Sequence, residues 1–188
     1  MLGIAGPPGA GKTTLAEELA EFANDWAGKG YAVVAPLDGF HLPNATLDRL
    51  GLRSVKGAPE TFDCDGFARL LARVREEQQT IFWPAFHREL DEPTPVEIAI
   101  PPETKLVVTE GNYLLLEQPC WQDVRSLLDD VWYVDAPAEV LRRRLLERAI
   151  AYGRTEEDAT RHVDGSDMRN VEIVSRTKDY ASRRIQTE

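Results

Sequence analysis

The chain has 188 residues, with 22 Lys+Arg against 32 Asp+Glu and a formal net charge of −10 at pH 7. That acidic balance argues against nucleic acid or an anionic membrane as the main partner, although a small phosphate ligand answers to the local field and not to the sum. At 43% hydrophobic and 29% charged residues the composition is that of a globular protein, and no apolar run reaches the roughly 18 residues a transmembrane helix needs.

Met1–Ala5 reads as a first strand with no basic leader before it, so a signal peptide is not expected. Lys12–Ala27 carries Leu15, Leu19, Phe22, Ala23 and Trp26 at helical spacing, and Tyr31–Pro36 reads as a second strand. Phe67, Leu70, Leu71 and Val74 repeat the helical pattern after Asp65. Prolines then cluster from Pro84 to Pro102, which reads as an irregular excursion. Lys105–Thr109 and Val131–Val134 are further strands, and like Tyr31–Pro36 they are near-continuous apolar runs, as strands covered on both faces should be. Pro137 opens a helix with Val140, Leu141, Leu145 and Ile150, for which Asp135 is the expected cap. Thr155–Val163 is a short charged helix, followed by the stretch Asp164–Asn170. Strands alternating with helices predict an α/β fold of one domain over residues 1–188: a central parallel sheet with helices on both faces. Ligands of such sheets bind beyond the carboxyl ends of the strands.

Cys64 and Cys120 lie far apart with no second pair. They read as neither a disulfide framework nor a metal clip, and suit the reducing cytoplasm. The three histidines have no zinc-ligand spacing.

The first strand runs into Gly6-Pro-Pro-Gly9-Ala10-Gly11-Lys12-Thr13-Thr14, which fits G-x-x-x-x-G-K-[ST]. Glycines let backbone N–H groups turn inward around an anion, and the helix that follows offers its positive end to phosphates. Lys12 would reach the β- and γ-phosphates, and the Thr13 hydroxyl would ligate Mg²⁺. Two later strands end in acids. Asp38, in Leu37-Asp38-Gly39-Phe40-His41, would face the γ-phosphate and serve an attacking hydroxyl or the metal's water shell. Glu110, in Val107-Val108-Thr109-Glu110-Gly111-Asn112-Tyr113, stands in a Walker-B arrangement and would bind Mg²⁺. Arg142-Arg143-Arg144-Leu145-Leu146-Glu147-Arg148 places Arg144 and Arg148 on one helix face, suited to the charge of a transferring phosphoryl group. With the charged helix after it, residues 142–170 or so read as a water-excluding lid.

Together these motifs resemble the phosphoribulokinase/uridine kinase family of P-loop kinases, which includes bacterial pantothenate kinase. They are closest to its nucleoside/nucleotide kinase-like or fructokinase-like branch. Lys56-Gly-Ala-Pro-Glu-Thr-Phe62-Asp63, Pro84-Ala-Phe86-His-Arg88 and Ser166-Asp167-x-x-Asn170 extend the likeness over nearly the whole chain. The resemblance implies a three-layer P-loop fold and ATP- and Mg²⁺-dependent phosphorylation of a small-molecule hydroxyl on a nucleoside, sugar or pantothenate-like acceptor, without nucleic acid or membrane partners. It also implies self-association, a homodimer being the simplest case. It makes Asp38, Lys12, Arg144 and Arg148 the catalytic set, and Gly6, Gly9, Ala10, Gly11, Lys12, Thr13 and Thr14 the nucleotide loop. Thr13 and Glu110 become the metal ligands, and Asp38, His41, Phe86, Arg88, Tyr113, Asp167 and Asn170 the acceptor wall. The chain departs from the pattern at His87, where that branch often carries Asp, and at Gly39, where the uridine kinase form has Ser. The alternative reading is a nucleotide-binding switch or ATPase without an acceptor, of which a GTPase form would need an N-K-x-D run that the chain lacks.

Overall fold

The apolar runs pair side by side as parallel strands. In the computed structural model, which describes residues 1–188, β1 (Leu2–Ala5), β2 (Ala32–Pro36), β5 (Leu106–Gly111), β6 (Asp130–Asp135) and β7 (Arg183–Gln186) form one sheet in the order β2-β5-β1-β6-β7. All four pairings are parallel. β7 is missing from the sequence reading because Arg-Arg-Ile-Gln has no apolar run; as an edge strand it is mostly exposed.

Successive side chains of a strand point to opposite faces, and the sheet uses this to build two cores. Ala5, Val107 and Tyr133 face one cluster, which contains Phe67 and Leu71 of α3 (Cys64–Glu76), Trp121 and Val124 of α4 (Pro119–Ser126) and Trp83. Ile4, Val108 and Val134 face the other, with Ala16 of α1 (Lys12–Ala27) and Leu141 and Leu145 of α5 (Ala138–Ala151). The three-layer α/β expectation holds. In α1, however, Ala16 and Ala20 form the buried stripe, while Phe22 and Trp26 are 72% and 78% exposed, so their spacing marks a solvent face.

Three further expectations are corrected. The proline-rich segment is an antiparallel hairpin, β3 (Ile81–His87) with β4 (Glu92–Ile100), its register shifting between Trp83 and Ala85, at Pro84. A two-stranded ribbon tolerates proline because each strand has a free edge. Asp135 does not cap α5: Pro137 holds the N-cap position, and the Asp135 carboxylate accepts from Ala136 N at 3.0 Å. Cys64 and Cys120 form a disulfide with Cα atoms 6.2 Å apart. Packing of α3 against α4 brings them together, which cysteine spacing alone does not reveal, and the inference of a reducing compartment loses its basis.

Residues 142–170, the expected lid, fall in α5, α6 (Glu156–His162), a wide π-type turn (Val163–Asp167) and the start of α7 (Met168–Ser175). No helix is long and apolar enough to cross a membrane.

Candidate active site

The carboxyl ends of β1, β2 and β5 open onto one cleft of about 550 Å³, bounded on its far side by residues of α5 and of the segment that follows it. The phosphate loop forms its floor. Gly11, the residue before α1, has φ +96°, a left-handed conformation that glycine adopts without a Cβ penalty. Gly9, Gly11, Lys12, Thr13 and Thr14 line the cleft; Gly6 and Ala10 are buried in the loop behind them. Lys12 is buried, its Nζ donating to Pro7 O at 3.1 Å and Asn112 Oδ1 at 2.7 Å. Burial pushes its pKa down, against the pull of Glu110 and Asp38.

Thr13 Oγ1 donates to Glu110 Oε1 at 3.0 Å, so the two expected metal ligands stand side by side. One hydroxyl and one carboxylate, with Asp38 nearby and no cage of three or more His, Cys, Asp or Glu, fit Mg²⁺, which takes few protein oxygens and completes its shell with water and phosphate. Burial first, then the repulsion of Asp38, lifts the Glu110 pKa to about 7, against Lys12, the Thr13 hydrogen bond and Arg88.

Asp38 lies in a 3₁₀ turn, Leu37–Phe40, directly after β2. Burial opposes its charge, but His41, Arg88, Lys12 and Arg148 outweigh burial and hold its carboxyl below the usual range. His41 is itself pushed down by burial, against the pull of Asp38. Arg88 Nη2 donates to Asp38 Oδ2 at 3.0 Å. The hairpin brings Arg88 there because Gly39 has no side chain: a Cβ on Gly39 would lie 2.2 Å from Pro84 O. This contact accounts for glycine where the uridine kinase form has serine. His41 Nδ1 faces Asp38 O at 2.8 Å and, in the tautomer that carbonyl requires, donates to it. Its ring packs between Phe62 at 4.0 Å and Phe86 at 4.7 Å.

The arginines of α5 diverge. Arg148 is deeply placed among Arg88, Asp167 and Asp38, and burial lowers its pKa. Arg144 also lines the cleft, but its Nη1 donates to Gly9 O at 3.1 Å and Thr187 Oγ1 at 3.3 Å, tying the phosphate loop to the end of the chain. Arg142 pairs with Asp164 at 2.6 Å and Arg143 lies 4.0 Å from Glu147, both on the outside.

Of the residues expected to meet an acceptor, Phe86, Asp167 and Asn170 also line the cleft. Burial raises the Asp167 pKa, against His162, Arg148, Arg154 and Arg88. Tyr113 does not reach the cleft: it is fully buried, and its hydroxyl donates to Gly57 O at 2.5 Å, a carbonyl shared with Asn170 Nδ2 at 3.3 Å. It braces the wall from behind. Sequence reasoning missed Asn112, Lys56 and Asp91. Asn112 and Lys56 stood inside quoted motifs, and Asn112 is two residues past Glu110, on the side that meets Lys12. Asp91 stood in none of those motifs. At the hairpin tip with φ +51°, it takes Lys56 Nζ at 3.0 Å and Arg53 at 3.5 Å on its carboxylate, strapping the tip to residues 53–57.

The family model described as the phosphoribulokinase/uridine kinase family matches residues 1–187. An uncharacterised protein of Escherichia coli, YggC, is 39% identical over 171 residues, covering 91% of this chain and 70% of its own. A candidate uridine kinase of Schizosaccharomyces pombe is 34% identical over 185 residues, covering 94% and 78%. The crystal structure of a candidate fructose transport system kinase from Silicibacter superposes with a TM-score of 0.89 at 33% identity, covering 98% and 88%.

Proposed function

The chain belongs to the phosphoribulokinase/uridine kinase family of ATP-dependent kinases that phosphorylate small molecules, and from that premise we propose that it moves the γ-phosphoryl group of ATP to a hydroxyl held between Asp38, Arg88 and Asn170. Nucleoside, sugar and pantothenate-like acceptors all present such a hydroxyl. The observation that carries this reading is the Asp38–Arg88 pair, 3.0 Å apart, standing in the same cleft as Lys12 and the Thr13–Glu110 pair.

Lys12 and the N–H groups of the loop hold the phosphates, and Thr13 and Glu110 hold the metal. When bound, Mg²⁺ would supply neutralisation of the phosphate charge. Arg88 fixes the carboxylate of Asp38, which accepts the hydrogen bond of the acceptor hydroxyl. As the oxygen–phosphorus bond forms and the bond to the ADP oxygen breaks, the hydroxyl proton passes to Asp38. Arg148 faces the charge spread over the transferring group, with Arg144 beside the loop. Rate enhancement then comes from positioning and electrostatics. Incubation with γ-labelled ATP, Mg²⁺ and a panel of hydroxyl compounds tests this: label should appear on an acceptor. Label found only in inorganic phosphate, whatever is added, would make the protein a nucleotide hydrolase.

A further inference from the structure

A second cavity, of about 800 Å³, opens between residues 54–60 and the lid. That volume is in the range of small-molecule sites. It adjoins the catalytic cleft: Ser54, Arg154, His162 and Asn170 line both. Asn170 stands at the junction with only 4% of its surface exposed. Its amide nitrogen donates to Gly57 O at 3.3 Å, which leaves Oδ1 for a ligand passing between the compartments.

The charges of the second cavity are unevenly paired. Arg161 is bound to Glu157 and Asp158, each at 2.8 Å. Arg154 and Arg169 form no ion pair, and the remaining carboxylate of the lining is Glu60. Two guanidinium groups with free planar donors thus face one free acid, in a protein whose net charge is −10. Such forks match carboxylate and phosphate oxygens two at a time.

We propose that the acceptor is bipartite: its reacting hydroxyl lies at Asp38, and its far end, which carries a phosphate or carboxylate, lies in the second cavity against Arg169 and Arg154. This rests on the kinase reading above and narrows its acceptor to molecules with an anionic end. Nucleotide grip needs none of the second cavity except the shared rim, so the two ideas fail separately.

The test is calorimetry on the full chain saturated with Mg²⁺ and a non-hydrolysable β,γ-imido analogue of ATP. Matched ligands are titrated in: ribose against ribose 5-phosphate, uridine against uridine monophosphate, panthenol against pantothenate. Failure of the ATP analogue itself to bind would overturn the kinase reading. With it bound, the anionic member of at least one pair is expected to bind ten-fold or more tightly than its neutral partner. The phosphate and carboxylate pairs distinguish which anion is preferred. In Arg169→Gln the gap should close to within two-fold, with binding of the ATP analogue unchanged, and Arg169→Lys should restore part of it. Equal binding in every pair, binding in none, or a preference that survives Arg169→Gln would overturn the proposal.

Discussion

Asp38 and Arg88 are 50 positions apart in the chain and 3.0 Å apart in space. One lies in the turn after a strand of the central sheet and the other in the turn of a hairpin that the sheet does not contain. Neither a phosphate loop nor a strand-end acid requires that contact; the hairpin adds it. The Arg88→Gln variant should therefore keep its affinity for Mg-ATP while kcat falls about ten- to a hundred-fold, as a loosely held base would give. Arg88 also lowers the Asp38 pKa. Without it that pKa rises, and the acid limb of the kcat profile should move to higher pH. A profile that keeps its acid limb would remove the pair from the chemistry.

Gly39→Ser restores the residue of the uridine kinase form and should be harmful here. Its Cβ would meet Pro84 O at 2.2 Å and Pro84 C at 2.5 Å, both backbone atoms that cannot swing aside. Overpacking of this kind costs about 1–3 kcal/mol. Thermal unfolding should show a lowered Tm, and kcat should drop further than stability explains, because the displaced hairpin carries Arg88.

Glu110 gives a pH dependence of known sign. Its folded pKa is about 7 against an ordinary 4.5, so the folded chain holds a proton that the unfolded chain has released. The stability this contributes is present below pH 4.5 and is lost as pH rises through 7. His41, lowered by burial, contributes the opposite slope, so the wild-type curve alone does not isolate Glu110. The difference does: in chelator, Glu110→Gln should gain stability relative to wild type between pH 5 and 8, by about 2–3 kcal/mol at the top. A difference that is flat in pH would contradict the assignment. Activity should be lost at every pH.

The Cys64–Cys120 bond closes a sequence separation of 56 residues between α3 and α4. Constraint of the unfolded chain by such a loop is worth about 2–4 kcal/mol. Denaturant unfolding of Cys64→Ser/Cys120→Ser should show a midpoint lowered accordingly, and reductant should lower the wild type and leave the double variant unchanged. Equal midpoints with and without reductant would mean that the bond contributes nothing.

What was legible in the sequence follows from the range of the forces involved. The phosphate loop, strands β1, β2, β5 and β6 and the strand-end acids announce themselves because local turn chemistry and apolar burial write them into neighbouring residues. β7 could not be read: an exposed edge strand held by backbone hydrogen bonds to β6 needs no apolar pattern. The hairpin was obscured by Pro84, Pro93 and Pro95, which ordinarily argue against a strand and here fall in a two-stranded ribbon. Within the cleft, Arg88, His41 and Asn170 were reachable through motif resemblance. Tyr113 was placed on the acceptor wall by the same route, yet packing turns it inward onto Gly57 O. Asp91 depends on a hairpin tip meeting residues 53–57, a contact set by tertiary geometry alone.

The most direct measurement is acceptor-dependent release of ADP by wild type and Asp38→Asn at matched, saturating Mg-ATP. The expected result is turnover that requires an acceptor and falls at least a hundred-fold in the variant, whose Kd for Mg-ATP stays within a few-fold of wild type. ADP release indifferent to every acceptor, or an Asp38→Asn protein turning over at the wild-type rate, would contradict it.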